Sequence, residues 1–168
     1  MRRIAQFVLL CLVSGLAASP AWADDAAKAR AKALFIEGRG HFAASRLAKA
    51  LTAFEQSNAI RPHPLMLYNI AQVYEAMEDL PRAIDTMRKF VATDAADADA
   101  KGKLASLEKT LSTWPEVSLT TQPAGAAVKV GGPDMSVRCT TPCTVRLPPG
   151  ERILRFELTN YQPVERPV

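Results

Sequence analysis

The 168-residue chain reads as an α+β multidomain protein, with helical hairpin repeats first and a small all-β domain after them. Two observations carry that reading. Two stretches repeat at an offset of 33 residues, so that Ala33, Leu34, Gly38, His41, Leu47, Ala50, Leu51, Phe54 and Ala59 align with Met66, Leu67, Ala71, Tyr74, Leu80, Ala83, Ile84, Met87 and Ala92. Small residues face small and bulky apolar ones face bulky, as in stacked helical hairpins that cannot bury their apolar face alone. The composition then changes at Thr113-Trp114-Pro115: before it the chain is rich in Ala, Leu, Lys and Glu, and after it in Pro, Val, Thr, Gly and Arg. That change marks a domain boundary.

The first 23 residues read as a removable leader. Arg2 and Arg3 make a positive start, Phe7 to Val13 is apolar, and Ala21-Trp22-Ala23 is a small-x-small cleavage site followed by Asp24 and Asp25. The apolar run is far short of the ~20 residues that span a bilayer. The general secretory route fits better than the twin-arginine route, since Ile4-Ala5-Gln6 follows Arg3. Cys11 lacks the small preceding residue of a lipoprotein signal. The expectation is an exported or periplasmic protein cut after Ala23, with no transmembrane segment in the mature chain.

Removing Arg2 and Arg3 with the leader takes two from the 21 basic residues, leaving 19 against 17 acidic ones, and lowers the formal charge from +4 to +2. The basic residues interleave with acids, so no stripe exists to follow a phosphate backbone, and nucleic acid is not an expected partner.

Helical spacing runs through residues 24–113. Leu47-Ala50-Leu51-Phe54, Leu67-Ile70-Ala71-Tyr74 and Leu80-Ala83-Ile84-Met87 each follow i, i+3, i+4, i+7. Arg61-Pro62-His63-Pro64 separates the hairpins, about 31–62 and 64–95, and Glu78-Asp79-Leu80-Pro81 forms a turn. A last helix over 97–113, with Asp97 or Asp94 as its cap and Leu104, Leu107 and Leu111 as its apolar face, closes the stack.

The small and aromatic positions Leu34, Gly38, Ala50, Phe54 and Pro62, then Leu67, Ile70, Ala71, Tyr74 and Ala83, resemble the tetratricopeptide repeat. The period is one residue short of the family's, the usual tryptophan is replaced by Leu34 and Leu67, and Met87 stands at an aromatic position. The resemblance implies that the first helix of each hairpin lines a concave groove for a protein or peptide segment. Carried onto this chain, the groove positions are Lys32, Phe35, Ile36, Arg39 and Phe42, then Leu65, Tyr68, Asn69, Gln72 and Glu75. Lys32, Arg39, Phe42, Tyr68, Asn69, Gln72 and Glu75 are the partner-binding candidates, while Phe35 and Ile36 also read as core.

From Pro115 the chain reads as short strands between turn signals: Val117–Thr120, Ala127–Val130, Cys143–Leu147 and Ile153–Leu158, with Gly131-Gly132-Pro133 among the turns. Pro123-Ala124-Gly125-Ala126, Thr141-Pro142, Leu147-Pro148-Pro149-Gly150 and Asn160-Tyr161 resemble the PEGA domain, a small β-sandwich, over residues 115–168. Ala124 replaces the name-giving glutamate, and any strand after Tyr161 must be short. This resemblance implies association with the cell envelope or wall.

Cys139-Thr140-Thr141-Pro142-Cys143 is the chemically loaded motif. In an exported domain with little core, two such cysteines most simply form a stapling disulfide. A redox pair prefers C-x-x-C at a helix start, and a metal would need two further ligands, for which only His41 and His63 remain. His41 takes the repeat's aromatic position and reads as a packed residue, His63 reads as a solvated turn residue, and Glu75, Glu78 and Asp79 read as a solvated acidic cluster. No catalytic, cofactor or metal site is expected. The expected function is a non-catalytic interaction module or adaptor of the bacterial envelope. The competing expectation is a self-associating structural component anchored through its β-domain.

Overall fold

The computed structural model describes residues 20–131 and 136–168. The leader signature through residue 19 and the Gly132-Pro133 part of one turn lie outside them. Five helices, α1 (Pro20–Ala43), α2 (Leu47–Ile60), α3 (Pro64–Ala76), α4 (Leu80–Val91) and α5 (Ala98–Thr113), precede six strands among the described residues. The strands are β1 (Glu116–Leu119), β2 (Ala127–Val130), β3 (Ser136–Thr140), β4 (Cys143–Arg146), β5 (Ile153–Glu157) and β6 (Val164–Pro167). The α+β class is therefore as the sequence indicates. No helix among the described residues is long and apolar enough to cross a membrane.

The 33-residue period is visible in the backbone. In the α1–α2 turn, Ser45 N–H donates to Phe42 O and Arg46 N–H to His41 O. In the α3–α4 turn, Glu78 N–H donates to Glu75 O and Asp79 N–H to Tyr74 O, the same bonds one period later. Both turns pass through a left-handed residue, Ser45 and Glu78, each at φ 55°. The facing pairs are equivalent too. Gly38 lies so close to Phe54 that a Cβ there would come within 2.6 Å of the ring, and one period later Ala71 and Met87 share a core cluster.

Between the hairpins, Phe54, Met66, Ile70 and Val73 form one core. Ser57, buried on α2, ties back to α1 by donating to Ala31 O at 2.9 Å. The last helix covers α4 with Leu107 buried and Leu104 and Leu111 half-buried. Its cap is Asp97, whose Oδ1 accepts from Ala100 N–H at 2.8 Å. His63, expected as a solvated turn residue, is exposed but also caps α3, accepting from Leu65 N–H at 3.2 Å with Pro64 in the first turn.

The β region holds two antiparallel sheets, β1-β4 and β3-β2-β5-β6. Leu119, Val128, Val130, Leu147 and Leu154 fill the space between them. Strands β3 and β6 were not legible as separate elements. Mutual bonds between Arg152 and Val168 and the β5–β6 register turn the backbone groups of Val164 and Arg166 toward β5 and those of Glu165 and Pro167 outward. Pro167 and the preceding Pro163 have no N–H, so this outer edge offers few donors to another strand.

Candidate functional site

Side chains of α1 and α3 share one pocket. Arg39 and Phe42 of α1 meet Asn69 and Gln72 of α3 around a pocket of about 240 Å3, floored in part by Phe54. Arg39 also sits 5.9 Å from the centre of the Phe35 ring, within reach of a cation–π contact. Ile36 of α1 and Leu65 of α3 are 58% and 51% exposed. Four of the seven groove candidates therefore converge. Lys32 is exposed on α1 and is not part of this pocket. Tyr68 is half-buried with its ring 5.5 Å from Phe90 of α4, and Glu75 pairs with Lys103 of α5 at 2.5 Å. Those two side chains have internal partners. Asn69 donates from Nδ2 to Leu65 O at 2.8 Å within its own helix, and that bond fixes the orientation of its amide.

His41 is half-buried, its ring between Glu37 Oε1 at 3.3 Å and Arg46 Nε at 3.0 Å.

The expectation of a solvated acidic cluster fails at Asp79, while Glu78 is exposed as expected. Asp79 is only 1% exposed. It caps α4, accepting from Arg82 N–H, and it ion-pairs with Arg82 and with Arg138 of β3. Arg138 also donates to Met77 O at 3.2 Å. Burial, with Arg82 nearby, holds the Arg138 guanidinium below its ordinary range in spite of Asp79. Glu78 pairs with Arg152 at 3.1 Å. The pairing of Asp79 with Arg138 joins distant parts of the chain, which no local pattern reveals. A local signal did exist for the cap: Asp two residues before a proline at a helix start is an N-cap pattern.

This turn is the joint between the two regions. Trp114, the first residue after α5, is buried against Leu80, Ala83, Ile84 and Leu107. Arg146 of β4 grips the end of α5, donating to Ser112 O at 3.4 Å and Trp114 O at 3.2 Å, and pairs with Glu116 at 2.6 Å.

Within the β-domain the motif residues hold one another. The N–H of buried Thr141 donates to Ala126 O, and its carbonyl accepts from Gly125 N–H at 2.8 Å. Its Oγ1 accepts from Ala126 N–H at 3.1 Å and lies 2.5 Å from Thr121 Oγ1. Gly125, at φ +96°, is the residue that lets the Pro123–Ala126 turn close on this threonine. Cys139, next to last in β3 of one sheet, and Cys143, the first residue of β4 in the other, have their sulfurs joined. The bridge therefore closes the crossover between sheets. Among the described residues no group of three or more His, Cys, Asp or Glu side chains is placed to hold a metal ion.

No curated protein matches the chain. Residues 114–168, from the buried Trp114 of the joint to the last strand, match the PEGA domain family, whose fold is a small β-domain.

Proposed function

We propose that the chain is a non-catalytic, exported adaptor of the bacterial cell envelope, in which tetratricopeptide-like hairpins hold a protein segment and the PEGA domain positions them. The observation that carries this reading is the convergence of Arg39, Phe42, Asn69 and Gln72 from two helices on one pocket. Such a face suits an extended or helical segment with apolar anchors and backbone or acidic groups for the amides and the arginine. The cysteine bridge suits an oxidising compartment. Cleavage after Ala23 would leave Asp24 and Asp25 in the first turn of α1, where carboxylates favour the positive helix end. Both histidines have structural partners, which favours a binding role over catalysis. The proline-guarded β6 edge favours the adaptor over self-association through that edge.

The test is a photocrosslinking residue placed at Phe42, with a second placed at exposed Thr52 of α2 as reference, in protein expressed in its native envelope. A discrete adduct from position 42, absent from position 52 and removed by Arg39→Ala with Asn69→Ala while circular dichroism is unchanged, is the expected result. An adduct that survives both changes but is lost on deleting residues 115–168 moves the partner to the β-domain. Gel filtration with light scattering separates a monomeric adaptor from the self-associating alternative.

A further inference from the structure

Among the described residues, the cleft beside the joint holds more positive charge than its acids balance. It encloses about 300 Å3 between the start of α4 and strands β3 and β4, with Arg82, Arg138, Arg146 and Asp79 among its walls. Arg146 is matched by Glu116. Arg82 and Arg138 share the carboxylate of Asp79. Two of their nitrogens, Arg82 Nη2 and Arg138 Nε, are buried without a hydrogen-bond acceptor among the described residues. Arg82 Nη2 does touch Asp79 as an ion pair, but out of hydrogen-bond alignment. Buried donors left in this state are costly and rare in folded proteins. Pro81, in the first turn of α4, also lines the cleft, and the Arg138 side chain is only 11% exposed.

We propose that this cleft binds a small oxyanion, held by Arg138 Nε and by the side of the Arg82 guanidinium turned away from Asp79, and that the anion completes the joint between the helical region and the PEGA domain. Guanidinium forks match the oxygen pairs of carboxylate and phosphate alike. The shared chemistry is that of a compact anion with at least two acceptor oxygens. One of them would take Arg138 Nε and the other the outer side of Arg82, with Asp79 remaining the inner counter-ion.

The test titrates the mature chain with inorganic phosphate, and separately with acetate, at constant ionic strength against chloride, following the Nε–Hε signals of its arginines by NMR. The expected result is saturable, one-to-one shifts of the Arg82 and Arg138 signals, at least tenfold weaker binding in Arg82→Gln, and a thermal midpoint raised by the saturating anion in the parent. Saturation by phosphate alone assigns a tetrahedral dianion, and saturation by acetate as well extends the site to carboxylates. Absence of saturable shifts with both anions overturns the proposal, as does binding that Arg82→Gln leaves unchanged. Should Arg82→Gln not fold, the two arginine signals of the parent decide the matter alone.

Discussion

Ser45-Arg46 and Glu78-Asp79 occupy the same backbone, one period of 33 residues apart, with the same hydrogen bonds and the same left-handed residue. Their side chains do different work. Arg46 caps α2 without a side-chain bond and reaches only its neighbour His41. Asp79 caps α4, is buried, and binds arginines from both regions of the molecule. Repetition therefore supplies the hairpin, and two side chains in one turn convert the second copy into a docking point for the β-domain. Because backbone and joint are specified by separate residues, they can be broken separately.

The largest difference is expected from removing the cap of each turn. Asp79→Ala leaves Arg138 buried without its counter-ion, a change of the kind that costs about 3–5 kcal/mol, whereas Arg46→Ala should stay within about 0.5 kcal/mol, as exposed substitutions do. Urea midpoints of the two variants measure this directly. Replacing Arg138 by Leu together with Asp79→Ala should recover part of the loss, since the uncompensated charge then goes with its partner. Equal effects from the two turns would mean that the Asp79 pairs are not what joins the regions.

The cysteine bridge acts on the same joint from the other side, because it fixes the end of β3, the strand that carries Arg138. Replacing Cys139 and Cys143 with Ser should lower stability by about 2 kcal/mol, the scale of closing a small loop. It should also speed hydrogen exchange at Glu78 and Asp79 while leaving Ser45 and Arg46 as they were. A uniform effect on both turns would mean that the bridge does not act through the joint.

The contrast between the turns also explains what was legible in advance. Apolar spacing is a local property, so the five helices, a cap at Asp97 or Asp94 and the period could be read from Leu34 to Leu111. Strand β3 is not legible because Val137 and Cys139 make too short an alternation, nor β6 because prolines flank it. The burial of Asp79 depends on Arg138, which no local pattern connects to it. For the groove, the family resemblance named the positions, and the structure brings together Arg39, Phe42, Asn69 and Gln72. Tyr68 and Glu75 are engaged by Phe90 and Lys103, partners from α4 and α5 that the spacing of α3 alone does not reveal.

Inside the hairpins, the equivalence predicts a rescue. In Gly38→Ala the new Cβ would meet the Phe54 ring at 2.6 Å, an overpacking of about 1–3 kcal/mol offset by about 1 kcal/mol of better helix propensity. The net loss should be about 1 kcal/mol. Adding Phe54→Met reproduces the Ala71 and Met87 pair of the second hairpin and should restore stability relative to Gly38→Ala alone. If the double variant is the worse of the two by chemical denaturation, the two interfaces are not equivalent and the period stops at the turns.

The smallest effect isolates the outer contact of the joint. Ser45 and Glu78 both sit at φ 55°, where a side chain costs about 1–2 kcal/mol that glycine does not incur. Glycine also gains freedom in the unfolded chain, worth about 0.4–1 kcal/mol against it. Ser45→Gly should therefore stabilise by about 0.5–1 kcal/mol. Glu78→Gly should gain the same backbone relief and lose the 3.1 Å pair with Arg152. That pair is half-exposed on the glutamate side, so its worth is at most about 1 kcal/mol. The difference between the two glycine variants is then a direct reading of one ion pair between the regions, with identical backbones as its reference. It should shrink toward zero in 1 M salt, where charges are screened beyond ~3 Å. A difference that persists in high salt would show that Glu78 holds the β-domain by packing of its stem and not by its charge.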